Sequence, residues 1–378
     1  MKIIDNNLCN ISNESFYERV CKGRGLFLDI ETTGLKRDSS CIYLIGMLYP
    51  LHSPKEEGYR LTLLLAEDPE EEILILKEFC RITKDTGLFP ITFNGRRFDL
   101  PFIKERCRIH GVEIPDILDS GEDLDIYAKI KPYRRSFSLS SLNQKSVERM
   151  LGIEREDKYT GGELISVYHE YVKSRDDELL DLLITHNRED VLGMTEILPV
   201  LSYSGIFELS PETEDPEIRE SFIESHEGYD GETVSELIII FSLPSPVPKP
   251  HLFHNMRLFL ETRDDLGTLR IPLFKGELKH FFSNYRDYFY IPSEDRAVLK
   301  EIAGLMNNTE KERAKVSNCY IRTSGLFLPL PQDFTDIGFT VYKTDYRSRT
   351  LYAYLNDDIK KSPALKEYLL QVLGKCFK

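Results

Sequence analysis

The chain has 378 residues, of which 41% are hydrophobic, and a formal net charge of −14. That composition supports buried cores and excludes a disordered chain, and the length is that of two domains at roughly 100–200 residues each. The charge is unevenly spread: residues 1–240 hold 28 Lys+Arg against 47 Asp+Glu, whereas residues 241–378 hold 21 against 16, so an acidic part precedes a mildly basic one.

Seven cysteines, an odd number with no CxxC pair, fit reduced thiols better than a disulfide framework and exclude zinc-finger spacing. The opening MKIIDNNLCN lacks the apolar run of a signal peptide. No apolar stretch approaches the roughly 20 residues that span a bilayer. The expectation is a soluble, cytoplasmic protein without a membrane partner; the oligomeric state is not legible.

Residues 1–21 read as an N-terminal segment and 22–205 as the first domain. GLFLDI at 25–30 is an apolar run ending in Asp, the pattern of a buried central strand. Residues 41–49 and 59–65 read as two more strands. Asp68 then reads as a helix cap, with Pro69 at the first helical position and acids in the first turn, leading a helix to about Thr83. LFPITF at 88–93 is a fourth strand. Helices follow near 97–110, 139–151 and 161–174, and a last long one runs from about 176 to 201. Neighbouring strands joined by short loops should be antiparallel, and a strand reached through a helix should be parallel to one of them.

Residues 206–235, rich in Glu, Asp, Ser and Pro, read as an acidic linker. Residues 236–378 read as an α+β domain. Its elements are a strand at ELIIIFSL, a hairpin of 256–263 with 268–274 around DDLG, a helix near 295–306, strands at 319–328 and 338–344, and a closing helix at 363–375. No internal repeat is visible.

Asp29 and Glu31 stand at the end of the first strand in LDIETTGL. Alternate strand residues share a face, so the two carboxylates project together. Two surface acids are the plainer reading. The flanking Leu26 and Leu28, however, make the strand interior, where unpaired carboxylates are costly without a cation. Asp99 follows the Asn94–Gly95 turn in FNGRRFDLPFI; alone it reads equally well as a helix N-terminal acid favoured by the dipole. His186 and Asp190 in THNREDVLGM are four apart and share one helix face, an ordinary pair when taken alone. The case is joint. Several acids from separate segments suit Mg²⁺ or Mn²⁺ rather than zinc, and two such ions about 3.5–4 Å apart can activate water and stabilise the leaving oxygen of a phosphodiester. Histidine, which titrates near neutrality, suits the orientation or deprotonation of that water.

These motifs resemble the DEDD exonucleases of the ribonuclease H-like superfamily, and more closely the bacterial YprB-like ribonuclease H-like family. LDIETTGL, FNGRRFDLPF and HNREDVLGM match its three exonuclease motifs in order, and SLSSLNQKSVERMLGIERED is similar to its intervening segment. The resemblance covers about residues 22–200. It implies an α/β ribonuclease H-like fold: a mixed sheet of three antiparallel strands followed by parallel ones, with flanking helices. It also implies two Mg²⁺ or Mn²⁺ ions held by Asp29, Glu31, Asp99 and Asp190, with His186 in the general-base position. Thr32, Thr33, Gly34 and Leu35 would contact the terminal nucleotide, Leu35 wedging a base, and Asn94 would shape the cleft. One departure stands out: His186 keeps the three-residue gap to Asp190 of the tyrosine subtype, with a histidine's chemistry.

In the second region GELKHFFSNYRDYFYIP interleaves aromatic and cationic residues. Such a stretch can stack bases, but Phe is usually buried, and most of these aromatics read as core. The leading expectation is a 3′→5′ exonuclease acting on DNA or RNA with a single-stranded 3′ end. The alternatives are a non-catalytic nucleic-acid-binding or repair scaffold and a structure-specific endonuclease on the same fold.

Overall fold

Nine consecutive buried residues, Ile42–Pro50, lie within a six-stranded sheet. In chain order its strands are Lys2–Leu8 (β1), Gly25–Thr32 (β2), Ile42–Pro50 (β3), Tyr59–Leu65 (β4), Phe89–Thr92 (β5) and Leu124–Asp125 (β6). Side by side they run β1-β4-β3-β2-β5-β6. β2, β3 and β4 are antiparallel, β5 is parallel to β2, and β6 is parallel to β5. This is the mixed ribonuclease H-like sheet expected from the sequence. The computed structural model describes residues 1–51, 57–137, 139–155, 159, 161–210, 216–228, 233–255, 257–306, 310–334, 338–356 and 363–377. The chain divides into two compact units, Met1–Ser204 and Gly205–Lys378.

The period-2 alternation of β2 assigns its two faces to different work. Leu26, Leu28 and Ile30 enter a core with Ile75, Leu76, Phe79, Phe102 and Ile103, residues of helices Glu72–Thr86 (α2) and Asp99–His110 (α3) once Glu14–Cys21 is counted as α1. Each fully buried Leu, Ile or Phe contributes about 1.5–3 kcal/mol, so this face fixes the strand. The other face, with Asp29 and Glu31, lies under a long helix. After the short helices Asp116–Asp119 (α4) and Ile126–Ile130 (α5) come Gln144–Leu151 (α6), Gly161–Ser174 (α7) and that helix, Asp177–Ile197 (α8), which packs over β2 and β3.

Two local readings change. The N-terminal segment forms β1, which pairs with β4 at the sheet edge; with most of its residues exposed, it carries no hydrophobic signal. Asp68 stands at the cap position with Pro69 next to it, as read, but it caps a 3₁₀ turn, Pro69–Glu71, that precedes α2, and its side chain makes no cap hydrogen bond; the carboxylate pairs with Arg175 at 2.6 Å instead. Ser138, Glu156 and Asp157 of the family-like segment lie outside the described residues.

The second unit is α+β, weighted towards sheet. Ile218–Glu227 (β7), Thr233–Ser242 (β8), His251–Asn255 (β9), Leu258–Arg263 (β10) and Leu266–Pro272 (β11) form one sheet in the order β7-β8-β11-β10-β9. β10 and β11 are the expected hairpin. Two smaller sheets follow: Phe274–Phe281 (β12), Tyr320–Pro329 (β16), Tyr352–Tyr354 (β18) and Val341–Tyr342 (β17); and Arg296–Leu299 (β14), Tyr288–Ile291 (β13) and Glu312–Arg313 (β15). Helices Leu201–Phe207 (α9), Lys300–Leu305 (α10) and Pro363–Cys376 (α11) complete the described elements. The stretch expected to be a linker contains β7, an edge strand whose exposed charges mask its extended conformation; its residues 211–215 and 229–232 lie outside the described set, as does Met256 of the hairpin. The helix expected near 295–306 begins with a strand, β14. The aromatic stretch serves packing: Phe282 stacks on Tyr288 with ring centroids 4.6 Å apart, and both pack against Cys319 and its neighbours. Among the described residues no helix is long and apolar enough to cross a membrane.

Candidate active site

β2 is flanked by β3 and β5, so its carboxyl end is interior. The register against β3 shifts between Glu31 and Thr32, a bulge of the kind that re-aims side chains beside functional sites. α8 begins at its cap Asp176, whose carboxylate accepts the Glu178 N–H. It reaches the sheet at Gly46 of β3, where a β-carbon would stand 2.1 Å from Asn187 Oδ1 and 2.8 Å from a Val191 methyl. Only glycine permits this approach, which lowers His186, Asn187 and Asp190 onto the acidic face of β2.

The four-residue spacing puts His186 directly over its own helix partner. His186 Nε2 lies 3.2 Å from Asp190 Oδ2 and 3.3 Å from Glu31 Oε1. Ligand-capable atoms of Glu31, His186 and Asp190 all fall within 4.8 Å of one another. Asp29 and Asp99, the other two predicted ligands, are not part of this trio; each is held by a different donor. Asn187 Nδ2 donates to Asp29 Oδ2 at 2.8 Å, and the Ile30 N–H donates to Asp99 Oδ1 at 3.1 Å. Asp99 opens α3, where the helix dipole favours a carboxylate. Gly161, the first residue of α7, also faces the site: a β-carbon there would stand 3.7 Å from Glu31 Oε2.

Burial lifts the Asp29 carboxyl well above the ordinary range, with Asp190, Asp99 and Glu31 pushing the same way and the Asn187 hydrogen bond opposing them. Burial likewise pushes Asp99 up to about 7; hydrogen bonds from backbone N–H groups pull it down, and Glu31 and Asp125 add to the rise. Acids crowded in a poorly solvated cleft resist ionisation unless a cation joins them.

One fixed cation does reach the cluster. Arg155 Nη1 donates to Asp190 Oδ1 at 2.5 Å, while its Nε and Nη2 bind the buried Glu148 carboxylate at 2.5 and 2.6 Å. Glu148 belongs to α6, which approaches α8 at Gly193, where a β-carbon would lie 2.6 Å from Glu148 Oε1. Gln144 of α6 donates to the Asp190 carbonyl at 2.9 Å.

The remaining residues singled out from the sequence lie around this cluster. Thr32 Oγ1 donates to the Gly34 carbonyl at 2.9 Å, and Thr33 Oγ1 accepts the Cys41 N–H at 3.0 Å, so both threonines shape the turn after β2. Leu35 projects outward, 83% exposed. Asn94 takes a left-handed φ of 70°, and its N–H donates to Asp125 Oδ1 at 2.9 Å. Asp125, Asn187, Arg155 and Gly46 were not picked out from the sequence. Asn187 and Gly46 left no residue-level signal. Asp125, buried and also capping α5, could have been found as an acid directly before the helical stretch IYAKI. Arg155 sits in the family-like intervening segment.

The donor set fits a divalent cation. Carboxylate oxygens dominate it, and the buried carboxylates of Asp29 and Asp99 carry less counter-charge than burial demands. Oxygen-rich sets of this kind suit hard cations.

Residues 26–202 match a family model described as the RNase_H superfamily. An uncharacterized protein named YprB, from Bacillus subtilis (strain 168), is 27% identical over 179 residues, which are 47% of this chain and 41% of that protein. Among solved structures, one of exonuclease I described as suggesting how processivity is achieved aligns at 12% identity and a TM-score of 0.29, covering 58% of this chain and 55% of that one. The zinc-bound complex of E. coli ExoI with ssDNA aligns at 12% identity and a TM-score of 0.28, covering 59% and 55%. The chain thus spans less than half the length of the curated relative and little more than half of these structures. The family match covers β2 to β6 and α8: residues 26–202 have an RNase H-like fold and match the RNase H superfamily model.

Proposed function

We infer that the first unit hydrolyses phosphodiester bonds of single-stranded nucleic acid from a 3′ end, with two Mg²⁺ or Mn²⁺ ions as cofactors. The observation that carries this reading is the meeting of Glu31, His186 and Asp190 within 4.8 Å of one another, beside the buried Asp29 and Asp99, whose carboxyls burial and neighbouring acids push upward. Asp29, Glu31, Asp99 and Asp190 would hold the ions. When bound, such ions lower the pKa of water and stabilise charge on the leaving oxygen.

The protein's own groups orient and move the proton. His186 Nε2 faces the cleft between Glu31 and Asp190, placed to take a proton from the attacking water. Asn187 fixes the Asp29 carboxylate, and the Ile30 N–H fixes that of Asp99, so neither acid must reorganise during the reaction. The exposed Leu35, at the turn that Thr32, Thr33 and Gly34 build, meets the terminal base, and Asn94 borders the cleft.

The test uses the full chain with labelled single-stranded DNA and RNA, linear and circular, and Mg²⁺ or Mn²⁺. Linear strands should shorten from the 3′ end and circles should persist. Asp29→Ala and Asp190→Ala should each reduce digestion to background. Variants that digest as fast as the parent chain would end this reading, and cleavage of circles would replace the exonuclease with an endonuclease.

A further inference from the structure

A groove of about 880 Å³ opens between the segment after β2 and the outer face of α3. Four cations line it: Lys36 and Arg37 on one wall, Lys104 and Arg108 on the other, against the two acids Asp38 and Glu105. This local excess is notable in a chain whose first 240 residues hold 28 Lys+Arg against 47 Asp+Glu.

Helix periodicity places the second wall. α3 buries Leu100, Phe102, Ile103 and Cys107, so Pro101, Lys104 and Arg108, spaced i, i+3 and i+7, form its outward stripe. Lys104 and Arg108 are one turn apart, about 6 Å along the axis. The stripe starts two residues from Asp99, and the opposite wall starts four residues from Glu31. The groove therefore leads away from the candidate metal ligands, and the exposed Leu35 borders it.

Its walls are fixed in place. Arg106 points inward from α3 and forms a buried pair with Glu72, Nη2 to Oε2 at 2.5 Å. Its Nη1 donates to the Arg37 carbonyl at 3.4 Å, and Arg37 Nη2 donates back to the Arg97 carbonyl at 2.6 Å. The groove cations have modest partners: Lys104 Nζ reaches Asp119 at 2.7 Å, and Arg108 reaches Glu105 at 2.6 Å on the surface. Exposed pairs of this kind are worth about 0–1 kcal/mol, so a polyanion can displace them.

We propose that this groove is the track for the body of the substrate strand: Lys36, Arg37, Lys104 and Arg108 hold the sugar-phosphate backbone of single-stranded nucleic acid upstream of the terminal nucleotide. The assignment of direction rests on the nuclease reading above; the binding itself does not. A track of fixed cations grips phosphates without regard to sequence, and its affinity falls steeply with salt.

The test measures binding of fluorescent single-stranded DNA and RNA to the full chain in EDTA, where no hydrolysis can occur, across a range of salt. Lys104→Gln combined with Arg108→Gln should weaken binding about tenfold or more. It should also flatten the dependence of log affinity on log salt by about 1.4, at about 0.7 per lost single-strand contact. The pair Arg81→Gln with Lys84→Gln removes the same charge from the exposed face of α2 and should leave the slope unchanged. Both pairs should melt like the parent chain, since all four side chains are at the surface. The track is refuted if the parent chain binds neither strand, if the groove pair keeps the parent slope, or if both pairs flatten it equally. Groove-dependent binding without metal-dependent hydrolysis would refute the nuclease reading alone; hydrolysis lost in Asp29→Ala with no effect of the groove pair would refute the track alone.

Discussion

Glu72 and Asp29 are carboxylates of one domain, packed on opposite faces of one sheet, and they are compensated in different ways. Glu72, 1% exposed, accepts the Ile42 N–H at 2.7 Å and Arg106 Nε at 2.8 Å on one oxygen. Its other oxygen takes Arg106 Nη2 at 2.5 Å, with His110 Nε2 at 2.8 Å. Asp29 receives one amide, from Asn187, and shares its surroundings with three further acids. The first cluster carries its own cation and is a clamp that joins α2, α3 and the start of β3. The second is met by Arg155 only at Asp190, with a charge already shared with Glu148, and the shortfall at Asp29 marks it as a candidate site for chemistry.

Removing the charge from each cluster should therefore have effects of opposite sign on the metal-free protein. Glu72→Gln leaves Arg106 buried without its partner and should cost about 3 kcal/mol or more. Asp29→Asn relieves crowding and should raise stability by on the order of 1 kcal/mol, while abolishing hydrolysis. Urea unfolding in EDTA measures both. Equal losses in the two variants would show that Asp29 is as well compensated as Glu72.

A smaller effect sharpens the contrast through pH. Asp99 holds its proton up to about 7 in the folded chain, against roughly 3.9 when unfolded. Folding then favours the protonated form, so this contribution is complete below about pH 4 and is lost as pH rises through 7, amounting to a few kcal/mol. The metal-free parent chain should lose stability between about pH 4 and pH 7 relative to Asp99→Asn. Saturating Mn²⁺ should remove that difference in the parent chain, because the cation takes the proton's place. Parallel curves for the two proteins without metal would show that Asp99 ionises freely.

What the sequence disclosed follows the same division. The strand bearing Asp29 and Glu31, the helix opening at Asp99 and the His186–Asp190 face were legible because each combines a strong apolar period with acids at an element end. The partners that hold these acids were not. Asn187 was one polar residue on a largely buried helix, and Gly46 one glycine in an apolar run; their roles exist only once α8 crosses β3. Glu72 read as an ordinary first-turn acid, since its partner Arg106 lies 34 positions away. β7 was hidden by exposed charge, and β1 by the lack of a buried face. Periodicity reports what packs against the core, whereas cross-element polar contacts are set by topology.

Arg155 is the residue on which the two clusters come closest to sharing a design, and it supplies the finest test. Its cation touches Asp190 as Arg106 touches Glu72, so it could act by occupying the space of a metal ion or by aiming the acid at one. Two facts favour aiming. Arg155 binds Asp190 Oδ1, while Oδ2 is the oxygen beside His186, and its charge is already balanced by Glu148, which it grips through two nitrogens. A neutral pair repels an incoming cation weakly, so losing the hydrogen bond should outweigh losing the charge. Arg155→Met should lower Mn²⁺ affinity about 10–100-fold, the usual cost of removing an outer-shell partner, and Arg155→Lys should restore part of it. Titration calorimetry with Mn²⁺ reads this without any substrate. Tighter Mn²⁺ binding by Arg155→Met would instead make the arginine a competitor for the metal, and the acidic cleft a site closed by its own counter-ion until substrate arrives.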